Sequence, residues 1–501
     1  MADYLYLPGA NRGVVTFFRS MARLFPSEFG ENIREAVTLY DTYDQSLTRR
    51  GFMFIQGKSA VRLLQLTTFT GREYPFGETI RSDWWKHPSS EWENVLEKLI
   101  PLQSLLPIWT GALNRRIITM KNRNLENYAT IELMTWGRES LIHIGGNKKN
   151  RGFLEQVNDY LLSRGFIPCS EPWPIHLMES KGKPVRTTPS LNTILASPAL
   201  AVRRAAGDIV LHYLHTARYY ETGIIEDVDT ECLHQYRVYI RKIRSIVSLL
   251  KTVFPVDDVA RLKNDFRRIQ QQTNVLRDHD VQMLSTKEEN GIFPVEITGE
   301  RAAIAEHTAK RRAAELDMVR VFFSSENYAA TMIMLERYFE TLYKLPETAE
   351  SVQPVGDTAK KILHEIYRRV RKKSAHLHED TPDEQIHRLR IETKKIRYII
   401  EFFQPLFPLK PTKKLIRQMK KIQTILGEFN DLAVRNRRLL RECEKLKNTA
   451  GNEGRLLNIG IMIGCIYTRR RYLKSVVLAE AEKLRGETIQ SLVEEITGIY
   501  Q

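Results

Sequence analysis

The sequence predicts an α+β N-terminal domain with an antiparallel sheet, followed by an all-α domain of two pseudo-symmetric helical bundles. Three observations carry that reading. From Ala199 onward, apolar residues recur at the three-to-four spacing of amphipathic helices. Within that half, His234-Gln-Tyr-Arg237-Val-Tyr-Ile-Arg241-Lys-Ile-Arg244 returns 153 residues later as His387-Arg-Leu-Arg390-Ile-Glu-Thr-Lys394-Lys-Ile-Arg397. Before Pro172, by contrast, apolar residues come in short runs broken by Gly and Asn, the pattern of strands and hairpins.

Taken in order, Phe17–Phe25 reads as a short helix interrupted by Arg19 and Arg23. Val37 to Asp44 reads as a strand running into a turn, and Gly51–Ile55 with Ser59–Leu66 as a hairpin. Arg116–Met120 and Tyr128–Trp136 make two more strands around an Asn/Lys/Arg turn, and Phe153–Leu162 a closing helix. Gly51 through Ser59 has the outline of a phosphate-binding loop, which needs four residues between its glycines. Here five stand there, Phe-Met-Phe-Ile-Gln, a strand and not a flexible cradle, so the loop is rejected. Pro172 to Pro189 holds four prolines, Gly182 and Ser180-Lys-Gly-Lys183, the composition of a linker. The predicted organisation is a first domain at 1–180, a linker at 181–198 and a helical domain at 199–501.

The 153-residue offset holds without a gap. Between His234 and Val281, 13 of 48 positions are identical in that one alignment, which marks a tandem duplication. Phe254-Pro255 returns as Phe407-Pro408, each pair read as ending its helix. Arg267-Arg268-Ile-Gln270 returns as Lys420-Lys421-Ile-Gln423, Arg277-Asp278 as Asn430-Asp431, and Arg218 as Arg371. The repeats span 199–345 and 352–501, with Pro346 and Pro354 at the seam. On a helix turning about 100° per residue, His234, Arg237, Arg241 and Arg244 fall in one stripe. Tyr236, Ile240, Ile243 and Val247 take the other side and must be buried, so each repeat is expected to be a bundle. Two such bundles, paired about a pseudo-twofold axis, would set the cationic stripes face to face.

The formal charge of +16 and a pI near 9.5 point to a polyanionic partner: nucleic acid, an acidic membrane surface or a phosphate polymer. The bland alternative is surplus lysine that keeps the protein in solution. Segregation of charge says more than the total. Residues 234–251 carry five Lys/Arg and 410–425 six, with no acid in either, and stripes of like charge repel themselves unless an anion lies between them. Cys169, Cys232, Cys443 and Cys465 lie too far apart for a zinc site or a disulfide framework and suit a reducing cytoplasm. The start, Met1-Ala-Asp-Tyr, lacks the pattern of a secretory signal. The longest apolar stretch, Ile459 to Tyr467, is about half of the roughly 20 residues a membrane helix needs. No membrane partner is expected.

The repeated histidine has four readings. A general base would want a carboxylate orienter and a nucleophile, and neither is on its face. A metal ligand would want further ligands, but its neighbours are cations. A phosphate ligand needs only nearby donors, which it has. The fourth reading is a packed histidine with arginines facing water, weakened because the whole pattern occurs twice. His376-Leu-His378-Glu379-Asp380 reads as a solvated connection, Asp278 and Asp431 as partners for arginines or helix caps, and Phe402-Phe403, Tyr236 and Tyr239 as core.

These motifs resemble the CHAD family of helical domains, across about 300 residues. The resemblance implies two helical bundles with a basic central groove that binds inorganic polyphosphate. By motif it falls on His234, Arg237, Arg241, Arg244, His387, Arg390, Lys394 and Arg397, with Arg268 and Lys421 in support and Arg218 and Arg371 upstream. Lys394 stands where the first copy has Arg241, so unequal half-sites are expected. Tyr40-Asp41-Thr42-Tyr43-Asp44, Arg50-Gly51, the strand with Arg62, and Arg115-Arg116 are similar to the CYTH family. Its β-tunnel hydrolyses triphosphates or binds polyphosphate with the help of a divalent metal. The family's Glu-x-Glu-x-Lys is absent from the first strand, where Asp3-Tyr-Leu-Tyr-Leu-Pro8 stands, so a degenerate tunnel lined by Arg50, Arg62, Arg115 and Arg116 is implied. The expectation is therefore a polyphosphate-binding protein of the cytoplasm, open to association with polyphosphate granules, without catalysis, cofactor or metal. A hydrolase run by the N-terminal domain and a nucleic-acid-binding protein are the alternatives.

Overall fold

In a computed structural model of the chain, residues 4–7, 27–66, 71–76, 78, 80–81, 84–86, 90–121, 127–137, 139–146, 151–169, 171–182, 185, 191–288, 298–447 and 452–500 are described. The chain forms two compact units, residues 1–187 with 227–232, and residues 188–226 with 233–501. The predicted Phe17–Phe25 helix lies outside the described residues.

The first unit is built on an antiparallel sheet of nine strands: β1 (Tyr4–Leu7), β2 (Ser27–Asp41), β3 (Phe52–Gln56), β4 (Ala60–Gln65), β5 (Gly71–Pro75), β6 (Leu106–Lys121), β7 (Asn127–Trp136), β8 (Glu139–Gly146) and β9 (Ile167–Pro168). Their order is β5-β4-β3-β2-β6-β7-β8-β1-β9. Among the described residues four helices belong to it: α1 (Ser46–Arg49), α2 (Glu91–Leu99), α3 (Arg151–Ser163) and α4 (Trp173–Ser180). Alternation along the strands gives each face its own core. One face packs Val37, Leu39, Trp109, Leu113, Met134 and Trp136 against Trp173, Leu177 and Met178 of α4. On the other, Ile118, Ile131, Leu133 and Ile142 meet Leu154, Val157 and Leu161 of α3. All six tryptophans of the chain are in this unit.

Several expectations need correction here. β2 starts ten residues before Val37, because Ser27–Ala36 pairs with β6 at a largely solvent-facing end where no apolar alternation is required. β6 likewise starts at Leu106, and β8, with Leu141, Ile142 and Ile144 buried, went unread. The Pro172–Pro189 stretch is not simply a linker. Pro172 and Pro174 lie at the start of α4, where a missing amide costs nothing, and Trp173 is fully buried. The rejected loop is the β3–β4 hairpin turn. A Cβ on Gly57 would lie 2.9 Å from Oε2 of Glu35 and 3.1 Å from Nη2 of Arg62, so glycine there admits an ion pair, not a phosphate.

The second unit contains twelve helices among the described residues. After α5 (Leu191–Ile194), the first repeat comprises α6 (Val202–Ile225), α7 (Thr230–Leu249), α8 (Val256–Gln271), α9 (Asn274–Glu288), α10 (Thr298–Phe323) and α11 (Glu326–Thr341). The second comprises α12 (Val355–Ala375), α13 (Asp383–Phe403), α14 (Leu409–Leu446), α15 (Glu453–Lys483) and α16 (Glu487–Thr497). Pro255 and Pro408 open α8 and α14 as N-cap residues; the preceding helices have already ended in a turn. Adding 153 carries α6 onto α12, α7 onto α13 and α10 onto α15. One difference stands out: α8 and α9 are separate helices, whereas α14 runs through the corresponding 38 residues unbroken.

The repeats are related by a pseudo-twofold axis. The amide of Val202 donates to the carbonyl of Gln353 at 2.9 Å, and that of Val355 to Leu200 at 2.8 Å. Shifting either bond by 153 residues converts it into the other, the signature of an isologous contact. Among the described residues no helix is long and apolar enough to cross a membrane.

Candidate functional site

The basic stripes lie on α7 and α13. Each helix buries its opposite side: Tyr236, Ile240, Ile243 and Val247 on α7, Leu389, Ile396, Ile399 and Phe403 on α13. The stripes meet. Lys242 of α7 is 3.4 Å from Glu401 of α13, and Arg241 bears on Lys394 closely enough to hold down its pKa. Arg241 and Lys394 hold the same repeat position, so their meeting places both beside the pseudo-twofold axis.

The charge there is crowded. Burial, with Arg390, Arg241 and Arg397 around it, pushes the Lys394 ammonium down to about 8. His234 is pushed down to about 4 by burial and by Arg277, Arg241 and Arg237, so its imidazole is neutral at neutral pH. Arg237 is lowered to about 10 by burial and Arg241, and Arg244 is lowered by burial, Arg267 and Arg241. Every shift has the sign of a site that disfavours its own positive charge.

The two half-sites nevertheless differ. Arg237 donates from Nη1 to the carbonyl of Gln270 at 2.9 Å and to Oγ1 of Thr273 at 2.6 Å, and from Nη2 to Oδ1 of Asn274 at 2.9 Å. The break between α8 and α9 is the cause. At that helix end Arg237 joins the Gln270 carbonyl, which also accepts from the Thr273 amide at 3.3 Å and the Thr273 hydroxyl at 3.0 Å. In the second repeat no such end exists, because α14 continues through Gln423, Leu426 and Gly427, the residues matching Gln270, Thr273 and Asn274. Arg390 therefore has no cap to make. Its Nε is buried without an acceptor, and its nearest carboxylate, that of Asp431, is 4.0 Å away. His387 is exposed and shares a 2.7 Å hydrogen bond between Nδ1 and Oδ1 of Asn430. Arg397 lies 3.1 Å from Glu401, and Arg244 donates to Oε1 of Gln270 at 2.5 Å.

Four expected residues stand elsewhere. Lys421 pairs with Glu480 on α15 at 3.6 Å, and Arg268 is exposed while its neighbour Arg267 is the cation that acts on Arg244. Arg218 is engaged by Glu336 of α11 at 3.1 Å, and Arg371 lies over the Tyr367 ring in a separate cavity. Arg267, Gln270, Asn274 and Arg277 were missed, although their three-to-four spacing repeats that of the α7 stripe. In the first unit, Arg62 is paired with Glu35 and Arg115 with Glu132, while Arg116 contacts Asn32 and Arg50 is exposed. Arg115 and Arg116, adjacent on a strand, point to opposite faces, so the four arginines do not line one tunnel. An antiparallel sheet does stand where the CYTH resemblance places one.

Residues 208–440 match the CHAD domain family. This chain carries a CHAD domain. The matched span runs from α6 into α14 and encloses both stripes, and CHAD domains as a family are associated with polyphosphate binding. Among solved structures, the CHAD domain from the plant Ricinus communis is similar, with 23% identity over 57% of this chain and 93% of that one, at a TM-score of 0.47. No curated protein matches the chain.

Proposed function

We propose that the CHAD domain binds inorganic polyphosphate where the α7 and α13 stripes meet, and that it does so without catalysis. The observation that carries this reading is the cluster at the pseudo-twofold axis, where Arg241, Arg390, Lys394 and Arg397 crowd until one ammonium is lowered to about 8. An extended anion relieves that repulsion along its whole length. Arginine forks take phosphoryl oxygens two at a time and Lys394 adds a point charge. His387, exposed on the same stripe with Nδ1 bonded to Oδ1 of Asn430, adds a ring donor at Nε2 when the ring is protonated. Binding releases counterions, so affinity falls steeply with added salt.

The test is the triple variant R241E/R390E/K394E, which spares the capping Arg237. Long-chain polyphosphate at physiological ionic strength should bind the parent and leave the variant unbound, with helical circular dichroism unchanged. Retained affinity in a folded variant rejects the site. Competition against RNA and DNA at equal phosphate concentration should favour polyphosphate; preference for a nucleic acid replaces the reading. Phosphate release in Mg²⁺ or Mn²⁺ should stay at background, and turnover lost on disrupting the first unit would make the protein a hydrolase.

A further inference from the structure

The second repeat has another basic concavity, away from the α13 stripe. A cavity of about 550 Å³ is lined by His364, Arg368, Arg371, Lys372 and Ala375 of α12 and by Arg485 beyond α15. The α12 residues are spaced four, three, one and three apart, which sets them on one helix face. A different face of α12 serves α13: Arg369 and Lys373 reach Glu392 there, at 3.5 and 3.3 Å. Arg485 is held opposite α12 because the Tyr367 hydroxyl donates to the carbonyl of Leu484 at 3.2 Å.

No carboxylate lines this cavity. Among the described residues Arg368, Lys372 and Arg485 make no ion pair, and Nδ1 of His364 is buried without a partner. The duplication supplies an internal comparison. The matching residues of the first repeat are Leu211, His215, Arg218, Tyr219, Thr222 and Met332, and both basic side chains there are quenched by Glu336, at 2.6 and 3.1 Å. The second repeat has Ile489 in place of Glu336, and that side chain is buried. Here the basic groups have multiplied, and no acid stands at the position of Glu336.

We propose that this cup is a second anion site, specific to a compact oligophosphate group of two or three phosphates. The volume falls within the roughly 300–1,000 Å³ of small-molecule pockets. Three cationic side chains and a ring nitrogen suit clustered phosphoryl oxygens. The same chemistry has two sources: a free oligophosphate, or the end of a chain lying in the groove. The arrangement favours the free anion, since the cup is on the side of α12 turned from α13.

Tripolyphosphate is the probe, titrated calorimetrically into R241E/K394E, in which the two cations beside the pseudo-twofold axis are reversed. One equivalent should bind, and adding R368Q/R485Q, at two exposed positions, should weaken it at least tenfold with unchanged thermal unfolding. The absence of tripolyphosphate binding in R241E/K394E overturns the proposal. So does binding that survives R368Q/R485Q. If R368Q/R485Q instead weakens only long-chain polyphosphate in the parent, the cup is a chain-end contact and the free-anion site is rejected. The groove is judged separately, by long-chain binding to R241E/K394E itself.

Discussion

The two repeats share a stripe but use its second residue differently. In the first, Arg237 caps the end of α8; in the second, α14 has no end at that point and Arg390 is left with a buried, unpartnered nitrogen. Identical residues at matching positions are thus tied to protein acceptors in one copy and lack them in the other. What separates them is two neighbours, Thr273-Asn274 against Leu426-Gly427, and the helix break that goes with the first pair. A duplicated site need not be a doubled site.

The sharpest test exchanges the two arginines. Arg237→Gln should lower stability by about 2–3 kcal/mol, since it removes three charge-assisted hydrogen bonds and leaves Oδ1 of Asn274 without its donor, as read by urea unfolding. Polyphosphate affinity of the folded fraction should change little. Arg390→Gln should do the opposite, with roughly tenfold weaker binding, about 1.4 kcal/mol, and no loss of stability. Equal effects from both substitutions would erase the distinction.

Gly427→Asn goes further by rebuilding the first repeat's acceptor in the second. Nothing lies within 4 Å of a Cβ there, so the side chain fits. Helix stability should rise by only about 0.3 kcal/mol, while Arg390 is drawn to the new amide and affinity falls several-fold. Unchanged affinity would mean that Arg390 is not a ligand.

Smaller is the effect of pH. Lys394 is lowered to about 8 in the empty groove, and a bound anion raises it. Affinity should therefore be flat below pH 8 and decline above it, and Lys394→Arg should abolish the decline. Stability has the reverse sign. The unfolded chain holds this proton up to the ordinary lysine range while the native state loses it near 8, so the groove's self-repulsion is relieved and stability rises as pH climbs between them. The smallest effect is that of Lys421→Ala, expected to alter affinity less than twofold because its partner is Glu480 on α15 and exposed ion pairs contribute little.

The helical half was largely legible because periodicity and duplication are both one-dimensional patterns. Cationic stripes, apolar backs and the repeat boundary follow from spacing alone. The sequence leads only to the expectation that the stripes face each other; which residues meet is set by packing between the repeats. The role of Arg237 was hidden for another reason: its cap depends on a break that Gln272-Thr273 hardly announces. In the first unit, strands such as β8 hide behind mixed polarity, and the prolines of α4 were read as breakers when they initiate. Arg268 and Arg267 are not told apart by sequence because, on α8, adjacent positions differ by about 100° and the sequence does not say which faces α7.

The placement of every tryptophan in the first unit has a practical consequence. Indole fluorescence is silent about the CHAD domain. Trp109, Trp136 and Trp173 lie in one buried cluster and Trp84 and Trp92 in another, so emission reports melting of the sheet and little else. Far-ultraviolet ellipticity, dominated by helices, follows the other unit. Recorded together on one sample, the two signals tell whether the units unfold as one cooperative body or as two, with no label attached.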